Sequence, residues 1–187
     1  LIEAQLVETF LLSTLNFQTL VATKAARITE AAQNRSVFDF GFRRAHGPGA
    51  AMLATRAAMI GGCTGTSNVL AAKELGIPSV GTMAHSWVMA HDTEKEAFDS
   101  FVKFFPGATI LIDTFDTAEG ARLASKIPGI GAVRIDSGDL AAEAANVRRI
   151  LVAAGRFDCK IVASGDLNEY KVARLLTAGA PIDSFGV

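Results

Sequence analysis

The chain has 187 residues, half of them hydrophobic and a fifth charged, the profile of a globular domain or of part of a larger barrel. Its 18 basic and 19 acidic side chains leave a formal net charge of −1, so no basic face of the kind that grips a nucleic-acid backbone is implied. No apolar run approaches the roughly 20 residues of a membrane helix, and the opening residues read as amphipathic helix rather than as a secretory signal.

In chain order, residues 1–32 carry apolar positions at helical spacing, in one helix or two pieces. Asn34-Arg35-Ser36 interrupts that pattern, and Val37 to Phe42 alternates as a strand does. Pro48 suits the first turn of a helix running to about Met59. From there a unit repeats. Strands are predicted at 79–82, 108–112, 132–135 and 160–163, with another starting at Ile182. Helices are predicted at 94–105, 118–125, 140–154 and 168–178. Successive strand starts fall 22 to 29 residues apart, the length of one strand, one helix and two short loops. The later strands are apolar on both faces, as in a parallel sheet covered by helices. With no dinucleotide fingerprint after the first strand, the expected class is α/β: an irregular, incomplete parallel β/α barrel. A flavodoxin-like sheet is the alternative. The division predicted is a helical segment at 1–36, bordering a second, mixed domain, and a partial barrel at 37–187. The ends of the sequence suit a fragment of a longer protein. Cys63 and Cys159 lack metal-binding spacing and read as buried thiols of a reducing cytoplasm.

Parallel strands place their carboxyl ends on one rim, where such folds bind ligands. Those ends are polar. The first offers Arg43, Arg44 and His46. The segment Ser79-Val80-Gly81-Thr82-Met83-Ala84-His85-Ser86 delivers a histidine among small residues, read as lying at the end of its strand. Then come Asp113-Thr114-Phe115-Asp116, Asp136-Ser137-Gly138-Asp139 and Ser164-Gly165-Asp166. Helix capping accounts for Asp116 and Asp166 and partly for Asp139. It does not account for Arg134, a guanidinium inside an apolar strand, which needs an anionic or carbonyl partner; Asp136, two residues on, is the obvious one. Gly165 lets backbone N–H groups approach an anion at a helix start. Gly61 to Asn68 is a second glycine-rich helix entry, more often a tight turn than a ligand cradle. His46 reads equally as facing a diphosphate site or as a surface residue, His91 as solvent-facing, and Phe38, Phe40 and Phe42 as packing residues.

Taken together, Asp39-Phe40-Gly41-Phe42-Arg43-Arg44, Gly65-Thr66-Ser67-Asn68, Gly81-Thr82-Met83-Ala84-His85-Ser86-Trp87, Val133-Arg134-Ile135-Asp136-Ser137-Gly138-Asp139 and Ala163-Ser164-Gly165-Asp166-Leu167 resemble the nicotinate phosphoribosyltransferase family. Ala180-Pro181-Ile182-Asp183-Ser184-Phe185-Gly186 extends the match over essentially the whole chain. The resemblance implies a type II phosphoribosyltransferase fold and an enzyme that condenses nicotinate with 5-phosphoribosyl 1-diphosphate. The products are nicotinate mononucleotide and diphosphate, with coupled ATP hydrolysis, in NAD salvage. It also implies Mg²⁺, ATP as co-substrate, a homodimer with sites at the subunit interface and a cytoplasmic setting.

Residue by residue, His85 resembles the histidine phosphorylated by ATP, with Asp136 and Asp113 as the other catalytic side chains. Asp136 is expected at ribose hydroxyls or the metal, and Asp113 in the metal shell. Arg43 is expected on the donor's diphosphate, Thr82 in the nicotinate pocket and Arg134 along the pyridine ring. Ser137 and Gly138 are expected beside the substrate, and Gly165 and Asp166 on the 5′-phosphate. Ser67 stands where nicotinamide-using relatives carry aspartate; a hydroxyl can donate to a carboxylate without adding like charge. The family's N-terminal aromatic segment and its later glycine-rich phosphate loop have no counterpart in these 187 residues. The alternatives are a nicotinamide- or quinolinate-using type II phosphoribosyltransferase and a non-catalytic half-barrel. An aldolase-type barrel would need a Schiff-base lysine inside a strand, for which Lys160 is poorly placed.

Overall fold

The computed structural model describes residues 1–187 and divides into two units, residues 1–80 and 81–187. No helix is long and apolar enough to cross a membrane.

The first unit opens with α1 (Ile2–Ala31). It is one helix rather than two, because no glycine or proline interrupts it. Its C-terminal half buries Ala25 and Ile28 and packs on α2 (Pro48–Ile60). Where the two meet, a Cβ on Gly61 would lie 2.5 Å from the Ala22 carbonyl oxygen, so only glycine allows this approach. The Thr29 hydroxyl donates to the Gly61 carbonyl at 2.8 Å.

β1 (Ser36–Asp39) is shorter than the predicted strand. Asp39 Oδ1 accepts from the Gly41 N–H at 2.9 Å, which folds the chain into a single 3₁₀ turn over Phe42–Arg44. Phe42 is not a packing residue: it is about half exposed on that turn. Phe38 and Phe40 stack on each other at 6.5 Å. The glycine-rich stretch read as a turn contains a two-residue strand, β2 (Gly65–Thr66), parallel to β1 with Asp39 opposite Thr66. It leads into α3 (Val69–Leu75), whose N-cap Asn68 accepts from the Ala71 N–H.

The second unit is a parallel sheet ordered β3 (Thr109–Leu111), β4 (Ala132–Ile135), β5 (Lys160–Ala163), β6 (Ser184–Gly186). Its register sets Ile110 beside Val133 and Val133 beside Ile161. These three and Ile112, Ile135 and Phe185 are fully buried, as expected of strands covered on both faces. Around them run α4 (His85–Met89), α5 (Glu94–Phe104), α6 (Thr117–Ser125), α7 (Leu140–Ala153) and α8 (Glu169–Thr177). The predicted strand at 79–82 is reduced to isolated bridges, Ser79 to Thr66 in the first unit and Thr82 to Thr109 in the second. Pro78 has no N–H to give, and Gly81 has no side chain to pack.

The capping assignments change too. Asp116 caps α6 and Asp139 caps α7, the latter accepting from two N–H groups. Asp166 is not the N-cap of α8: Asn168 is, and Asp166 sits just before it with φ +49°, a left-handed conformation rare outside glycine. His91 is not a free surface residue. Its Nδ1 lies 2.8 Å from the Trp87 carbonyl oxygen, and its ring leans on the indole at 4.9 Å.

Candidate active site

His85 is the first residue of α4, not the last of a strand. Ala84 before it is extended (φ −93°, ψ 162°), so the chain turns into helix one residue early. The imidazole is held at both ends. Nδ1 lies 3.1 Å from Thr114 Oγ1, and Nε2 lies 3.8 Å from Asp136 Oδ2. The second distance is too long for a hydrogen bond but within ion-pair range once the ring is protonated.

Arg134, on β4, is the hub behind them. Its side chain is only 15% exposed. It donates from Nε to Ser164 Oγ (2.7 Å), from one terminal nitrogen to Thr82 Oγ1 (2.7 Å) and from the other to Asp136 Oδ1 (2.6 Å). Ser164 passes the chain of bonds on, donating to Asp136 Oδ1 at 2.5 Å. Burial alone pushes the Asp136 carboxyl up. The Ser164 hydrogen bond, the charge and hydrogen bond of Arg134, and the charge of His85 more than reverse this and hold it below the usual carboxylate range. Asp136 is therefore ionised at neutral pH, with one oxygen saturated by donors and the other turned toward His85.

Asp113, at the end of β3, works from the next strand. Its Oδ2 accepts from the Asp136 N–H (2.9 Å) and from Ser137 Oγ (2.6 Å). Its Oδ1 is buried and has no hydrogen-bond partner. Gly138 adopts φ +76°, letting the chain turn between Ser137 and the cap Asp139. Gly165 is glycine for a reason the sequence does not display. At φ +101°, a Cβ would sit 2.2 Å from the Asp136 carbonyl oxygen, so the β5–α8 loop can lie against the β4–α7 loop only without one. A cavity of about 490 Å³ opens beside both loops, lined in part by Asp136, Ser137, Gly138, Gly165 and Lys171, a volume that suits a small ligand. Asp166, next in the loop, is exposed, and its carbonyl accepts from Lys171 Nζ at 2.9 Å.

The second unit thus brings together Thr82, His85, Asp113, Arg134, Asp136, Ser137, Gly138 and Gly165. Arg43 and Ser67 belong to the first unit, each following one of its two paired strands. Arg43 is exposed. Ser67 Oγ reaches the Asp39 carbonyl at 3.3 Å. Beneath them the buried Asp39 carboxylate accepts from Thr55 and Thr66, both at 2.8 Å, and ties α2, β1 and β2 into one frame. Sequence reasoning missed two hydroxyls, Ser164 and Thr114. Each stands beside a residue that was singled out, but hydroxyls after strands are too common to stand out until neighbouring strands are aligned.

A model of the nicotinate phosphoribosyltransferase (NAPRTase) family matches residues 35–175. A nicotinate phosphoribosyltransferase of Mycobacterium tuberculosis is 47% identical, matching all of this chain and 42% of its own length. The enzyme of that name in Bacillus subtilis is 43% identical over all of this chain and 40% of its own. Among solved structures, the human nicotinic acid phosphoribosyltransferase superposes with TM-score 0.84 at 27% identity, over 98% of this chain and 50% of that one. A nicotinate-nucleotide pyrophosphorylase from Pyrococcus furiosus superposes with TM-score 0.83 at 34% identity, over 91% and 46%. The chain spans about two fifths of the length of the curated relatives it matches. The fold is the expected α/β class, the incomplete parallel β/α barrel of the type II phosphoribosyltransferases. The chain belongs to the nicotinate phosphoribosyltransferase family.

Proposed function

We propose that this chain carries the reacting side chains of a nicotinate phosphoribosyltransferase acting in NAD salvage. Nicotinate and 5-phosphoribosyl 1-diphosphate give nicotinate mononucleotide and diphosphate. ATP hydrolysis drives the reaction through a phosphohistidine at His85. The observation that carries this reading is the linked set His85–Asp136–Arg134–Ser164–Thr82, in which an ionised carboxylate faces an imidazole across 3.8 Å. The family relatives supply the chemistry's name.

In this mechanism a ring nitrogen of His85 uses its lone pair to take the terminal phosphoryl group of ATP. One N–P bond forms, the terminal P–O bond breaks and ADP leaves. Asp136, held ionised, stabilises positive charge on the ring and later on the ribose carbon, whose substitution passes through an oxocarbenium-like state. Arg134 lies along the pyridine ring and Thr82, which accepts from Arg134, lines the nicotinate pocket. Arg43 holds the diphosphate, Ser67 donates to the nicotinate carboxylate, and Gly165 with Asp166 receives the 5′-phosphate. Mg²⁺ fits the residues present: the unpartnered, buried Asp113 Oδ1 is a hard oxygen donor of the kind that ion takes. Asp113 and Asp136 would hold it, and bound there it neutralises diphosphate charge. Homodimerisation and a cytoplasmic setting belong to the same reading through the family resemblance.

A coupled assay of the protein tests it. Nucleotide formation is expected with nicotinate, weaker by orders of magnitude with nicotinamide, and stimulated by ATP. Label from γ-labelled ATP is expected at His85 and lost in His85→Gln. Equal use of the amide, or of quinolinate without labelling, would overturn the assignment in favour of another type II phosphoribosyltransferase.

A further inference from the structure

We propose that Thr114 is a positioning residue for His85, an inference that rests on the reading of His85 as the reactive side chain. Thr114 follows Asp113 at the end of β3, and its hydroxyl lies 3.1 Å from His85 Nδ1, within hydrogen-bond distance. On the opposite edge of the ring stands only a longer contact, Nε2 to Asp136 Oδ2 at 3.8 Å. The two partners divide the control of the imidazole. The Asp136 carboxylate can only accept, so its charge biases where the ring proton resides. The Thr114 hydroxyl can donate or accept, so it keeps its bond in either tautomer and fixes the plane of the ring.

Rotation about the Cβ–Cγ bond of histidine is soft and roughly two-fold. The His85 side chain is 41% exposed, so packing alone leaves that rotation open. A flip by half a turn would exchange Nδ1 for a carbon and forfeit the Thr114 bond. Thr114 therefore selects one of two ring orientations and keeps a nitrogen aimed along a constant line. Asp113 is anchored to Asp136 and Ser137 through its Oδ2, which fixes the backbone that carries Thr114. Phosphoryl capture depends steeply on such alignment.

Nitrogen NMR of the full chain, which has three histidines, reads the ring directly. Thr114→Val keeps the branched shape and removes the hydroxyl; Thr114→Ser keeps the hydroxyl. The valine variant is expected to shift the ring-nitrogen signals of His85 while those of His46 and His91 stay in place, and the serine variant to restore them. In the labelling assay the valine variant is expected to take phosphoryl from ATP about tenfold more slowly at an unchanged KM for nicotinate, and the serine variant to lie within about threefold of the parent. A His85 spectrum unchanged in Thr114→Val, or equal losses in both variants, would overturn the proposal. Should the parent make nucleotide without labelling His85, the phosphohistidine reading falls, and the ring spectra still decide the role of Thr114.

Discussion

Ser164 shows how one small side chain can govern a charged site. It is 2% exposed, accepts from Arg134 and donates to Asp136, and leads the influences that hold the Asp136 carboxyl down. Replacing it with alanine leaves a buried guanidinium nitrogen one acceptor short. The expected loss of stability is about 1–2 kcal/mol. Carbon NMR is expected to show the Asp136 pKa rising toward its ordinary value. The pH dependence follows. A carboxyl held low stabilises the fold at pH above its unfolded-state value, and that stability disappears as pH falls through the folded value. In Ser164→Ala less is lost on acidification, and urea midpoints from neutral pH down to about 3 check this. Arg134 was legible in the sequence because a lone charge in an apolar strand demands a partner, and Asp136 was the partner named. Ser164 was not, since its role depends on β4 and β5 standing with Arg134 beside Val162 and Ile135 beside Ala163.

Elements show the same division between what patterns reveal and what close approach decides. β4 and β5 occupy the predicted residues, 132–135 and 160–163, because both are buried apolar runs bounded by turn residues. The short strand β2 escaped, its Gly65-Thr66 having no periodicity to read, and the segment before His85 was taken for a strand because its composition is that of one. In both, two or three backbone bonds settle the assignment. Gly120 illustrates a packing constraint that no pattern betrays. It lies in the second turn of α6, where a Cβ would come within 2.2 Å of the Ile112 carbonyl oxygen, beside the end of β3. Gly120→Ala is expected to destabilise the protein by about 3 kcal/mol, despite alanine's better helix propensity, because the contact is with backbone that cannot yield. Chemical denaturation of both proteins measures it.

On the scale of the whole molecule, acidity at one edge of the second unit opposes the fold at neutral pH. Burial, then the charges of Asp116, Glu119 and Asp113, raise the Glu94 carboxyl to about 7, and its Oε1 has no hydrogen-bond partner. Here the folded state binds the proton more tightly than the unfolded chain. The stabilisation is complete below the ordinary glutamate value and fades as pH rises through about 7. Glu94→Gln is expected to flatten that decline, giving a higher urea midpoint than the parent at pH 8 and a similar one at pH 4. This trend runs opposite to that of Asp136, so the parent is expected to be most stable at mildly acidic pH. Cys63 and Cys159 add a practical property. Both are free and buried; burial pushes the first thiol up to about 12 and raises the second. Neither offers a thiolate to maleimide or to an oxidant, so a cysteine introduced on an outer helix becomes the sole handle for a fluorophore or a spin label, with both native thiols left in place.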